Sequence, residues 1–258
     1  MRLGCLPYLN VKPLIYTFEQ GNLPDGWELY YAAPSRLARM LNSNEIAVAP
    51  VSSFAWLSND ELEICPNICI STYGPVHSVL LISNVDFDKI ESVIIDTSSL
   101  SGANMVKIIL KEVYGVSPNY IVAPLDCIDS ILEQTDAVFV IGDAAMKFDK
   151  SDYLVMDIAD EWVKLTGLPA VFAVWAGKSI DKELENILKQ ARNEGVLMLE
   201  TISKNESARL RMDYDFCLDY LRNINYSLGE KEALGLKAFR DLAIDHKLLQ
   251  KHKARKDI

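Results

Sequence analysis

Two short runs, residues 46–51 and 137–141, are almost wholly apolar, and helix-like stretches flank both. A strand that is apolar on both faces must be covered on both faces, and helices are the usual cover. That combination directs the chain to an α/β architecture with parallel strands joined by right-handed crossovers.

The rest of the chain reads as two such blocks and a helical tail. Residues 2–8, 27–33 and 46–51 are strands of the first block, with Pro7 and Pro13 bracketing a loop or the start of a short helix. Pro34-Ser35 opens a helix that Ser35 can cap, with Leu37, Met40 and Leu41 at helical spacing. Residues 63–72 and 77–83 are strands around the turn Tyr73-Gly74-Pro75.

The second block has strands at 92–96, 119–123, 137–141, 153–158 and 170–175. Its helices are expected after the polar loop Asp96–Gly102, at 127–135 and as a turn at 160–165. From residue 181 the pattern is helical, over 181–192, 194–203, 207–223 and 231–246, with apolar stripes suited to covering a sheet. Two lobes are expected: residues 1–85 with 176–258, and an inserted lobe of residues 86–175. The crossings fall near Ile82 and Trp175, and the ligand cleft lies between the lobes.

Charge and composition exclude several classes. The chain has 258 residues and a formal net charge of −10. A nucleic-acid footprint needs a basic face, and the one basic run, residues 246–256, reads as a frayed tail. No apolar run approaches the ~20 residues that span a bilayer, and no apolar leader precedes the first strand. The expectation is a cytoplasmic protein with no nucleic-acid or membrane partner. Cys65 and Cys69 share a strand face, but no second pair or histidine cluster lies at metal-site spacing. The five cysteines read as buried thiols, with no metal and no cofactor.

Four polar segments are placed to face the cleft. They are Pro7-Tyr8-Leu9-Asn10, Gly74 to Val79, Asp96 to Ser101, and Ile141-Gly142-Asp143 with Thr166-Gly167-Leu168-Pro169 beside it. Each alone is weak. A Ser/Thr-rich turn caps a helix as readily as it holds a ligand, and Asn10 could simply hold a turn.

Their order and spacing resemble the menaquinone-biosynthesis family of the futalosine pathway, over nearly the whole chain. The resemblance runs through Gly4 to Leu14 (Gly-x-x-x-Tyr-Leu-Asn-x-x-Pro-Leu), Pro34 to Ala38, Val48 to Val51, Gly74 to Val79 and Asp96 to Ser99. Ile141 to Ala145, Trp162 and Thr166 to Pro169 close it. It implies a two-lobe, type II periplasmic-binding-protein-like fold. It also implies a lyase that removes water from chorismate, a small dianion, without a cofactor.

The resemblance further implies that the enolpyruvyl carboxylate of the substrate takes the proton, oriented by Asn10 and Ser78. Hydroxyls and backbone N–H groups around Tyr8, Ser99, Ser101, Gly142, Asp143, Thr166 and Gly167 would hold the carboxylates. Asp143 is then expected as a structural cap, not the base, and His77 as a strand residue near the hinge. Where the family shows Ser-Arg-Thr-Ser, this chain has Ser99-Leu100-Ser101-Gly102, and Leu100 is expected to serve the surface only. Two alternatives remain. One is a carboxylate-binding or sensor protein of the same fold. The other is the related 1,4-dihydroxy-6-naphthoate synthase, which carries a paired-threonine loop that this chain lacks.

Overall fold

The computed structural model describes residues 1–95, 99–123, 125 and 127–251. The first sheet contains β1 (Arg2–Cys5), β2 (Glu28–Tyr31), β3 (Val48–Ser52), β4 (Glu63–Thr72) and β10 (Ala170–Gly177), in the order β2-β1-β3-β10-β4. The second contains β5 (Val79–Ser83), β6 (Ser92–Ile95), β7 (Asn119–Val122), β8 (Ala137–Ile141) and β9 (Leu154–Asp157), in the order β7-β6-β8-β5-β9.

Each sheet has a parallel part and an antiparallel part. β1 runs parallel to β2 and β3, and β6 runs parallel to β7 and β8. The crossing strands run the other way: β10 lies antiparallel between β3 and β4, and β5 lies antiparallel between β8 and β9. The expected lobe boundaries at residues 86 and 175 therefore fall one strand late at each crossing. β5 belongs to the second sheet and β10 to the first. A run apolar on both faces carries no mark of which sheet it will join.

Helices cover both sheets. In the first half they are α1 (Lys12–Glu19), α2 (Pro34–Asn42), α3 (Ser53–Leu57) and α4 (Leu100–Tyr114). Then come α5 (Ile128–Leu132), α6 (Gly142–Lys147) and α7 (Ile158–Thr166). The C-terminal set is α8 (Lys182–Val196), α9 (Leu199–Leu210), α10 (Tyr214–Arg222) and α11 (Glu230–Asp245). α8 packs on α1 and β4, and α11 packs on β10, so both helices lie against the first sheet.

Several helices were hidden in the sequence. α1 starts with Pro13 in its first turn, where proline removes no helical hydrogen bond. α6 follows directly at Gly142, where β8 ends as expected and no helix was predicted. The single helix expected over 207–223 is two, because Arg211 takes a left-handed conformation at φ 54° and Asp213 caps α10 through Phe216 N. Ala33, not Ser35, holds the cap position of α2. Cys127 is exposed while the other four cysteines are buried. No helix among the described residues is long and apolar enough to cross a membrane.

Candidate functional site

A cavity of about 260 Å³ lies between the two sheets, at the strand ends of both. The loop after β1 contributes Tyr8 and Asn10, and the ends of β3 and β4 contribute Ser52 and Ser71. The β4–β5 crossing contributes Ser78, and Ser99 and Leu100 come from the start of α4. Ile141, Gly142 and Asp143 lead into α6, while Phe172 and Tyr220 come from β10 and α10. Among the described lining residues there is no lysine, arginine or histidine, and Asp143 is the one formal charge.

Two polar atoms in this wall have no partner among the described residues: Asn10 Oδ1 and Asp143 Oδ1 are buried without a hydrogen bond. A buried polar atom left unpaired costs about 1–3 kcal/mol, so these two acceptors are open to a donor entering the cavity. Asn10 sits on a single 3-10 turn, Leu9–Val11, entered through the Val11 N to Tyr8 O bond of 3.1 Å. Arg209 reaches this loop from α9, with Nη2 3.5 Å from Pro7 O.

Ser78 is 2% exposed. Its Oγ lies 3.0 Å from the Tyr220 hydroxyl, and its carbonyl accepts the Gly142 N–H at 2.7 Å. Burial holds the Tyr220 phenol above its usual range, so it remains a protonated donor. Gly142 has φ +63°, and a side chain there would be strained whatever the space. Asp143 is raised above the usual carboxylate range, chiefly by desolvation. Lys147 and Arg209 oppose the shift and Glu206 adds to it. Asp143 was expected to cap a helix, but α6 has no side-chain cap.

Six of the nine expected site residues, Tyr8, Asn10, Ser78, Ser99, Gly142 and Asp143, meet at this cavity. Three do not. Ser101 is fully buried behind the wall, where its Oγ bonds Ser52 Oγ and Ser53 Oγ at 2.8 Å, Phe54 N at 3.1 Å and Phe172 O at 2.9 Å. Thr166 closes α7 on itself, donating to Trp162 O at 2.8 Å and accepting from Leu168 N at 3.1 Å. Gly167 is the left-handed end of α7 at φ +70°. These hydroxyls satisfy backbone and neighbouring side chains first.

Ser101→Ala therefore acts on the fold. It should lower stability by about 2 kcal/mol through the partners it strands, with the KM for substrate nearly unchanged. Paired denaturation and kinetic measurements read this out, and a large KM change at wild-type stability would return Ser101 to the site.

His77 is not a strand residue. It sits in the crossing at φ +60°, exposed, its amide giving a 2.7 Å bond to Asp157 Oδ2. The same carboxylate accepts Val76 N and caps α7 through Ala159 N and Asp160 N, so it pins the crossing. Leu100 does not serve the surface alone: it is 43% exposed yet lines the cavity mouth. Gly102 is packed so closely that a Cβ would lie 2.6 Å from Phe139 Cζ. Asp96, Thr97 and Ser98 of the third polar segment lie outside the described residues. Tyr220, Ser52 and Ser71 were not anticipated. Tyr220 reads in sequence as one more aromatic on an apolar helix stripe.

The profile of the family described as menaquinone biosynthesis matches residues 1–245. A chorismate dehydratase of Thermus thermophilus is 31% identical over 260 residues, covering 93% of each chain. A chorismate dehydratase of Campylobacter jejuni is 27% identical, covering 93% of this chain and 96% of its own. Among solved structures, protein AF1704 of Archaeoglobus fulgidus superposes with a TM-score of 0.75 at 17% identity, covering 96% of this chain and 98% of its own. The periplasmic aliphatic sulphonate binding protein SsuA of Escherichia coli gives a TM-score of 0.65 at 15% identity, covering 98% and 89%. The fold is thus the two-lobe fold of periplasmic binding proteins, and the chain belongs to the menaquinone biosynthesis family.

Proposed function

We propose that this chain is a chorismate dehydratase, a hydro-lyase that converts chorismate to 3-[(1-carboxyvinyl)oxy]benzoate and water. The observation that carries the reading is the cavity wall itself. It offers hydroxyls, an asparagine amide and the first turns of α2 and α4, but no cationic side chain among its described residues. Helix N-termini present free N–H groups and the positive end of a dipole, which suits carboxylates. Relatives over nearly the full length are chorismate dehydratases.

The chemistry needs positioning more than strong reagents. Loss of the ring hydroxyl and the neighbouring proton makes the ring aromatic, which supplies the driving force. In this proposal Asn10 and Ser78 orient the enolpyruvyl carboxylate so that it takes the ring proton. Tyr220, kept protonated by burial, lies 3.0 Å from Ser78 Oγ; with the phenol as donor, the serine proton is free for the substrate. Holding reactants in such a geometry is worth several kcal/mol of barrier. The free cysteines suit a reducing compartment, and the proposal places the protein in the cytoplasm.

Incubating the purified protein with chorismate and following the ultraviolet spectrum tests the reading. A benzoate-type spectrum is expected. Saturable binding of chorismate without turnover would overturn it in favour of a binding protein. A second measurement concerns the mouth. Leu100→Arg places a cation beside a cavity that has none, at a position exposed enough to avoid burying the charge. The KM should fall about tenfold, or about 1.4 kcal/mol. An unchanged KM would show that the mouth does not touch the substrate.

A further inference from the structure

Asp143 has an environment that the orienting roles of Asn10 and Ser78 do not explain. It is the one acidic side chain among the described lining residues, and its Oδ1 is buried without a partner. The groups facing it can be named element by element. Lys147 lies on its own helix, α6, and is exposed. Glu206 and Arg209 face it from α9. From α10 it is opposed by Tyr220 and Cys217, and the loop after β1 brings Tyr8 and Asn10 to the same cavity.

The cations in this set offset the charge of Asp143 only in part: Lys147 is exposed to solvent, and desolvation outweighs it. Arg209 Nη2 is 2.6 Å from Glu206 Oε2 and also reaches Pro7 O. Lys12, the next cation, lies 3.4 Å from Glu206 and 2.6 Å from Glu19. A dianion entering the cavity therefore meets a carboxylate whose cationic neighbours are the exposed Lys147 and Arg209, which is already paired with Glu206. A second carboxylate brought into the same site raises the pKa of one of the two, which favours uptake of a proton. Desolvation already raises the Asp143 carboxyl above its ordinary value before any ligand arrives.

Resting on the dehydratase reading, we propose that Asp143 is the proton donor of the site: it is a neutral carboxylic acid in the complex and hands its proton to the hydroxyl that leaves the ring. The balance is complete. The ring C–H bond breaks, its proton passes to the enolpyruvyl carboxylate and its electron pair forms the new ring double bond. The C–O bond breaks with its pair on oxygen, which takes the Asp143 proton and departs as water. The proton now on the enolpyruvyl acid restores Asp143 through solvent when the product leaves.

Binding of the dianion is then linked to proton uptake. Below the titration of Asp143 in the free protein, the acid is already neutral and affinity is flat with pH. Between its titration in the free protein and in the complex, one proton is taken up and affinity falls about tenfold per pH unit.

Calorimetric titration of the wild-type protein with 3-[(1-carboxyvinyl)oxy]benzoate, in two buffers of different ionisation heat over about pH 5 to 9, measures that uptake directly and needs no variant. Uptake of about one proton within the window is expected. The absence of any uptake across that range overturns the proposal. Asp143→Asn mimics the neutral acid but cannot give a proton. It should bind the product with pH-independent affinity, take up no proton, and turn chorismate over about 100-fold more slowly with a nearly unchanged KM. Turnover by Asp143→Asn near the wild-type rate overturns the role of Asp143 alone. Failure of the wild-type protein to convert chorismate overturns the dehydratase reading and, with it, this step.

Discussion

Asn10→Ala is expected to slow chorismate turnover by about 100-fold while leaving the melting temperature unchanged or slightly raised. The two halves of that result have separate causes. Asn10 Oδ1 lines the cavity, buried and without a hydrogen-bond partner. Deleting it breaks no bond in the resting protein, and removing a buried unpaired acceptor is neutral or mildly stabilising. Turnover, by contrast, loses a positioned group that has little freedom, because it rides on a single 3-10 turn closed by Val11 N to Tyr8 O. Loss of one such group costs about 100-fold or more. Steady-state kinetics beside a thermal melt check both. A folded Asn10→Ala protein with wild-type activity would remove Asn10 from the mechanism.

Gly195→Ala is expected to destabilise the fold by about 3 kcal/mol, the upper range for overpacking, and to lower Tm by about 8 °C. Gly195 lies on α8 where that helix crosses α1. A Cβ there would sit 1.8 Å from Pro13 O and 2.8 Å from Pro13 C. Those are backbone atoms, so nothing can swing aside and the helices must part. The gain in helix propensity, about 1 kcal/mol, does not offset that. Pro13 is in the first turn of α1, directly after the turn bearing Asn10. The same change should therefore lower kcat, which links a remote packing contact to the site. A denaturation midpoint equal to wild type would show that α1 and α8 separate freely.

The fold and the site were legible in the sequence to different depths, for physical reasons. The apolar runs at 46–51 and 137–141 became β3 and β8, buried as their composition required. Tyr8, Asn10, Ser78 and Asp143 line the cavity as expected, because each follows a turn near a strand end and strand ends form the cleft. Ser101, Thr166 and Gly167 were misplaced by the same rule. A hydroxyl in a turn looks identical whether it faces a cavity or a helix end, and here the local backbone claimed it. Tyr220 gave no signal, because a helix stripe does not say which of its aromatics will reach past the core. The sheet membership of β5 and β10 was equally silent. It is decided by long-range pairing, which a local pattern does not encode.

That pairing has a consequence for how the chain comes into being. All strands of the second sheet lie within residues 79–157, so that sheet can form once those residues have left the ribosome. The first sheet is interrupted until much later. Its β3 and β4 are held together by β10, which is made after the whole second lobe. The nascent chain therefore carries an unfilled gap between two apolar strands while its neighbour assembles. The lobe begun first at the N-terminus is the lobe finished last, and its open strand edges are the hazard that synthesis must outrun.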